Sequence, residues 1–356
     1  MARKPKPFAY TSDAEPGIAR VARGDTFLYF RAEGRPVRRA TDLARIASLA
    51  IPPAWTEVWI CPDPRGHLQA TGKDARGRKQ YRYHPAWIAE RDSNKFASLA
   101  DFARALPRIR RAVVRDLRRP ALCKERVLAA VVRLMDQAFV RVGNERYRRD
   151  NGSFGATTLR ARHVRASRDG VVLDFRGKSG KRHTIRIDDA RVVRVIRRCL
   201  ELPGDVLFQY KDGETTRSIS GADVNAYLKS ISGSDITSKD FRTWGGTVRA
   251  ANLLWSGEQE GSQSMTRTAM RACVRDAIEA ASQALGNTPA VCRRSYIHPR
   301  IFRCYEAGIT VDPPSMRGLR ADERRALALL DAKLPTLREQ LERSVAARGG
   351  DVRLAA

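Results

Sequence analysis

The sequence predicts an α+β protein. A small β-rich N-terminal domain over residues 1–90 is followed by a larger, mostly α-helical domain over 91–356 that holds a small three-stranded antiparallel sheet. Three observations predict this. The first ~90 residues alternate short apolar runs with Gly, Pro and Asp turns. From about Ser93 apolar residues recur at three- and four-residue spacing, the helical period. One β-like island, residues 157–189, interrupts that period.

In the N-terminal part, "DTFLYFRAEG", "TEVWICPDPRG" and "HLQATGKDARGRKQYRYH" read as short strands, and "TDLARIASLA" as one helix opening on Thr41 or Asp42 as N-cap. Further on, "DFARALPRIRRAVVRDL" and "CKERVLAAVVRLMDQAFVRV" are amphipathic helices. The island "TTLRARHVRAS", "VVLDFRG", "KRHTIRIDD" is joined by "RDG" and "KSG" and makes a three-stranded meander. Helices resume with "DARVVRVIRRCLEL", "GADVNAYLKSI", "DFRTWGGTVRAANLLW" and "TRTAMRACVRDAIEAASQAL", and a charged helix, "RADERRALALLDAKLPTLREQLERSV", lies near the C-terminus. No internal repeat is present.

The 356 residues are 42% hydrophobic, enough for a core, yet 67 Lys+Arg stand against 39 Asp+Glu, a formal charge of +28. A surplus of that size points to a polyanion, because neutralising phosphates releases condensed counterions. A membrane is the rival polyanion, but no apolar run approaches the ~18 residues a span requires, and "MARKPKPFAYTSDAEPG" has no apolar stretch of a secretory signal. That segment reads as a basic arm. Six scattered cysteines without a CxxC, and five histidines without ligand spacing, give no metal site and fit a reducing cytoplasm.

Several stretches carry candidate chemistry. "FRGKSGKRH" imitates the end of a P-loop, but Val172 stands where the first glycine is needed and both flanks are strands, so a nucleotide site is set aside. Lys178 is left at a hairpin tip, either a solvated turn lysine or a cation reaching a ligand. Arg141 in "RVGNERY" follows an apolar helix and needs a partner, a carboxylate or a phosphate. Arg242 in "KDFRTWGGT" lies between Phe241 and Trp244, a setting suited to bidentate phosphate contact. In "LGNTPAVCRRSYIHP", Tyr296 follows Arg293 and Arg294, with Asn287 upstream. The ordinary reading of such a tyrosine is an amphipathic residue at a helix edge.

Taken in order, Arg141, Lys178, Arg242, Asn287 and Tyr296 match a family. With "IPPAW", "GRKQYRYH", "RVGNERY", "RGK", "KDFRTWGGT" and "LGNTPAVCRRSYIHP", the chain resembles the poxvirus-type and bacterial type IB DNA topoisomerases over nearly its whole length. The resemblance implies a β-rich N-terminal domain and a mostly helical catalytic domain that clamp double-stranded DNA. It implies relaxation by a monomer at the nucleoid, with no cofactor, ATP or metal. Tyr296 would be the nucleophile, Arg141 and Arg242 would stabilise the transition state, and Lys178 would be the general acid. Asn287 would donate a hydrogen bond to a phosphate oxygen, at a position where poxvirus members carry histidine. Gln80, Tyr81, Tyr83, Tyr147 and Lys239 would contact or assist at DNA.

Two other readings compete. Tyrosine recombinases share the arginine–lysine–arginine–tyrosine chemistry, but usually carry histidine where this chain has Lys239, tend to read "LGH" where it reads "LGN", and have no "GRKQYRYH" block. A non-catalytic basic DNA-binding protein would satisfy the charge alone, but not the ordered set of candidate active-site residues.

Overall fold

Strands β1 (Ile18–Arg23), β2 (Thr26–Phe30), β3 (Thr56–Ile60), β4 (Leu68–Lys73) and β5 (Lys79–Tyr83) form one antiparallel sheet in the order β2-β1-β3-β4-β5. The chain is seen in a computed structural model that describes residues 8–334 except 25, 95, 169 and 257–265, together with the backbone but not the side chains of 92–94. Helix α1 (Ala40–Ser48) lies in the connection between β2 and β3, and its Ile46 packs with Ile18, Val58, Ile60 and Ala70 of the sheet and with Val37. The expected Thr41 or Asp42 N-cap is corrected: the helix opens on Arg39, and the Asp42 carboxylate instead accepts from Arg31 at 2.8 Å. Strand β1 was not expected, since Ile18 is its only buried residue and Val21 is 48% exposed, which leaves little alternation to read.

Contacts divide the chain into Met1–Ala97 and Ser98–Ala356. The sequence places the division at residue 90, which falls inside helix α2 (Pro85–Asn94), so the observed division comes after that helix.

The second unit continues with α3 (Leu99–Leu117), α4 (Lys124–Ala138), α5 (Glu145–Asn151), β6 (Val164–Ser167), β7 (Gly170–Arg176), β8 (Arg182–Ile187), α6 (Ala190–Leu200), β9 (Gln209–Asp212) and β10 (Thr215–Ser218). It ends with α7 (Gly221–Ser232), α8 (Ser238–Ser256), α9 (Arg267–Leu285), α10 (Pro289–Ser295), α11 (Pro299–Glu306) and α12 (Ala321–Asp331). The expected meander is β6-β7-β8, antiparallel throughout. The β9–β10 hairpin and helices α5, α10 and α11 were not expected. They are four to eight residues long, too short to show a period.

The helical core is built on α3, α4 and α8. Phe102 and Phe241 meet edge to face at 5.0 Å between centroids, and Leu106, Ile109, Leu134 and Met135 are fully buried beside the helix seams. Full burial of such a side chain contributes about 1.5–3 kcal/mol. Arg110 of α3 donates both to Asp136 of α4 at 2.8 Å and to Glu323 of α12 at 2.7 Å. Glu323 is wholly buried, so α12 is tied into the core by a paired charge whose removal would strand its partner. Two expectations are corrected: α12 stops at Asp331, where Ala332 turns extended as its C-cap, and residues 8–17 of the expected basic arm are packed rather than free, with Phe8 buried and the Ala9 amide and carbonyl bonded to Arg65 and His67. Residues 1–7 of that arm and the expected helix beyond 334 lie outside the described residues.

Candidate active site

Helix α4 stops where Phe139 adopts the left-handed conformation, φ 53°, as its C-cap. A non-glycine residue there costs roughly 1–2 kcal/mol, and the turn aims the Phe139 carbonyl at Arg242, whose Nη1 donates to it. The next residues are held by backbone bonds: the Ala156 and Thr157 amides donate to the Arg141 and Val142 carbonyls at 2.8 and 2.7 Å. Arg141 is thereby fixed at the end of the helix, half-buried, and its Nη2 donates to Asn287 Oδ1 at 2.5 Å. The side-chain partner that the structure shows for Arg141 is an amide, not the carboxylate that the sequence allowed.

Arg242, on α8, is 4% exposed, and its Nη2 donates to the Leu285 carbonyl at 2.7 Å. Its guanidinium carbon lies 5.1 Å from the centroid of the Tyr296 ring, within cation–π range. The neighbouring Gly245 and Gly246 explain how α8 comes so close. A β-carbon on Gly245 would fall 2.1 Å from the Phe139 ring, and one on Gly246 would fall 2.5 Å from the Tyr296 carbonyl oxygen. Each mid-helix glycine costs roughly 0.5–1 kcal/mol relative to alanine, and the close approach to both site segments offsets it.

Tyr296 caps the C-terminal end of α10, its amide bonded to the Cys292 carbonyl at 2.8 Å. That helix starts on a Thr288 N-cap with Pro289 behind it, the usual start signal for a helix. Asn287 immediately precedes the cap and follows Gly286, the left-handed C-cap of α9. Its carbonyl accepts from Lys181 Nζ at 3.0 Å. Lys178 is exposed on a one-turn 3₁₀ segment (Lys178–Gly180) at the β7–β8 tip, and lines a small cavity with Arg141, Phe139, His183 and Arg242. Its Nζ lies 5.9 Å from the centroid of the Tyr147 ring.

The electrostatics of this cluster are one-sided. Burial and the charge of Arg141 push the Arg242 guanidinium down to about 10. Burial alone would raise the Tyr296 phenol, but Arg242 and then Arg141 outweigh it and hold the phenol below its ordinary value. Besides the Tyr296 phenol, the partners of the two guanidiniums are an amide and two backbone carbonyls, so no carboxylate among the described residues neutralises them. Two buried donors, Arg242 Nε and Asn287 Nδ2, have no hydrogen-bond partner among the described residues. A cationic cluster with spare donors around a phenol can stabilise an anionic oxygen and favour the phenolate. Among the described residues no three His, Cys, Asp or Glu side chains converge as metal ligands.

The remaining expected residues are more dispersed. Lys239 is exposed in the first turn of α8 and does not line the cavity. Tyr147 is 56% exposed on α5. In the other unit, Tyr81 and Tyr83 stack at 6.1 Å on edge strand β5, with Tyr81 45% exposed. Gln80 points to the opposite face by the period of the strand, and its Nε2 donates to Asp74 at 2.9 Å. The segment therefore presents two tyrosines together and separates the glutamine from them. Sequence reasoning missed Phe139, whose left-handed backbone has no signature in a phenylalanine, and His183, a lone strand histidine without a partner at any motif spacing.

A family model described as the eukaryotic DNA topoisomerase I catalytic core matches residues 79–311, and one described as the bacterial DNA topoisomerase IB N-terminal domain matches 26–74. The chain belongs to the type IB DNA topoisomerase family. All five clustered residues fall within the segment matched to the family's catalytic core. Among its relatives, DNA topoisomerase 1B of Acanthamoeba polyphaga mimivirus is 35% identical over 295 residues, 82% of this chain and 88% of that one. Monkeypox virus DNA topoisomerase I is 23% identical over 236 residues, 65% of this chain and 70% of its own length. The match to the N-terminal domain of the bacterial enzymes includes the "IPPAW" segment.

Proposed function

We propose that this type IB topoisomerase relaxes supercoiled double-stranded DNA with Tyr296 as its nucleophile. The phenolate oxygen attacks a backbone phosphorus, the Tyr296–phosphorus bond forms, and the bond to the 5′-oxygen breaks. Lys178 delivers the proton that this 5′-oxygen takes as it leaves. A 3′-phosphotyrosyl link and a free 5′-hydroxyl result, the broken strand swivels about the intact one, and the hydroxyl reverses the reaction. The link conserves the energy of the broken bond, so the cycle needs no ATP.

The observation that carries this reading is the uncompensated cationic cluster around the phenol. A free tyrosine, pKa near 10, is about a thousandth ionised at neutral pH. Arg242 and Arg141 lower that barrier by favouring the phenolate. The same two guanidiniums, with Asn287 Nδ2, suit the non-bridging oxygens on which charge gathers in the transition state. An anionic phosphate would relieve the burial of Arg242 and engage its spare Nε. Tyr147, Lys239, Gln80, Tyr81 and Tyr83 belong to this reading as DNA-contacting residues, supported by their polar or aromatic surfaces rather than by the cluster. The reading extends to a monomer acting at the nucleoid in the cytoplasm. Six free cysteines support a reducing compartment, and among the described residues no helix is long and apolar enough to cross a membrane.

Supercoiled plasmid incubated with the protein and EDTA, without ATP, tests it. A ladder of relaxed topoisomers is expected. Retarded plasmid of unchanged linking number would instead identify a DNA-binding protein without cleavage, and recombined products would identify a recombinase.

A further inference from the structure

His183, on β8, takes no part in the chemistry above, yet it sits inside the cluster. Its ring stacks on Phe175 at 5.3 Å between centroids, 19° from parallel, and lines the cavity shared by Arg141, Lys178 and Arg242. Two glycines flank it. A β-carbon on Gly177 would lie 2.5 Å from its Cδ2 and 2.6 Å from its Nε2, and one on Gly286 would lie 2.8 Å from its Cε1. Gly177 immediately precedes Lys178, and Gly286 immediately precedes Asn287. One imidazole therefore occupies the space left by two missing side chains, each next to a residue assigned to the phosphate.

We infer that His183 is a positioning residue for strand cleavage, its ring keying the β7–β8 hairpin that carries Lys178 onto the α9–α10 turn that carries Asn287. The inference rests on the reading in which Lys178 and Asn287 act on the cleaved phosphate. An exposed lysine at a hairpin tip has little else to fix it: the turn is short, and Ser179 within it is left-handed at φ 63°. The ring against Gly177 limits where the tip can stand. Charge supports the same picture. Burial and then the nearby Arg141, Arg242 and Lys181 lower the imidazole's pKa, so the wedge adds no further cation to the cluster at neutral pH.

Single-turnover cleavage of a suicide duplex tests this, using either an ordinary 5′-oxygen or a 5′-bridging sulfur at the scissile phosphate. Sulfur leaves without a proton, so it bypasses Lys178. His183→Ala is expected to slow cleavage of the oxygen substrate by about 10²-fold, the scale of a 1 Å misplacement, and the sulfur substrate to recover most of that loss. Adding Lys178→Ala to His183→Ala should cost little beyond Lys178→Ala alone. Gly177→Ala, whose φ of −93° suits any residue, forces a methyl into the ring and should show the same sulfur rescue. It also decides the matter should His183→Ala fail to fold. Equal losses on oxygen and sulfur, or cleavage as fast as the parent's in both variants, would overturn the inference. Failure of the parent protein to form any covalent adduct would instead defeat the underlying reading.

Discussion

Arg141 and Asn287, 146 residues apart in the chain, meet at 2.5 Å, the guanidinium donating to the amide oxygen. The amide oxygen of Asn287 is thereby committed to Arg141, while its Nδ2 is buried without a partner. In the proposed function, one side chain both orients an arginine and offers a donor to the phosphate.

Substitutions at Asn287 separate those two duties. Asn287→Ala loses both, and should slow single-turnover cleavage by up to about 10²-fold. A single transition-state donor is worth roughly 2.7–4 kcal/mol in a well-measured case, and the arginines that remain reduce that. Asn287→His should keep much more activity, because one ring nitrogen can accept from Arg141 while the other donates. Asn287→Asp keeps the acceptor but puts a negative charge beside the phosphate, and should be at least as slow as alanine. Equal impairment of the histidine and alanine variants, with DNA binding unchanged, would leave Asn287 as a structural residue of the α9–α10 turn.

Lys178 stands exposed at its hairpin tip, where its long side chain can reach a leaving oxygen. As a general acid it should contribute about 10²–10⁴-fold. Lys178→Ala should lose that on an oxygen substrate and recover most of it on a 5′-bridging phosphorothiolate. A sulfur effect no larger than in the parent protein would make Lys178 an electrostatic contact only.

His298 links the site to stability. Its Nδ1 accepts from the Arg300 amide at 3.0 Å as the N-cap of α11, and burial with Arg300 and Arg303 pushes its pKa down to about 4. The folded value is below the unfolded one, near 6.5, so between these values the unfolded chain binds more protons. Stability should therefore fall as pH drops from about 6.5 towards 4. Urea midpoints at pH 7 and pH 5 measure this. His298→Asn, which retains a good cap, should flatten the dependence, leaving a residual of the same sign from His163 and His183, both also lowered by burial. An unchanged pH dependence in that variant would contradict the assignment.

Much of the candidate site was legible because the proposed chemistry requires particular residue types. Arg141, Lys178, Arg242, Asn287 and Tyr296 could be picked out one by one as charged or polar residues in unusual surroundings, and their order along the chain matched the family. Their mutual geometry could not be read. It depends on the left-handed Phe139, on the Gly245–Gly246 pair that lets α8 approach Tyr296, and on His183 between two glycines, none of which leaves a periodic trace. The long amphipathic helices and the meander were readable from their periods. Strand β1 was not, because its exposed face carries Val21 and its buried face offers only Ile18.

The central claim is that Tyr296 becomes covalently joined to DNA, and trapping that link tests it most directly. A suicide duplex labelled upstream of the cleavage site should give one protein–DNA adduct on a denaturing gel, and peptide mapping should place the DNA on Tyr296. Tyr296→Phe should abolish both the adduct and plasmid relaxation while leaving the fold and non-covalent DNA binding nearly intact. Tyr305, the next tyrosine, is buried edge-on against Trp255 at 5.5 Å and is not placed to substitute. An adduct that persists in Tyr296→Phe, or that maps to any other residue, would contradict the account.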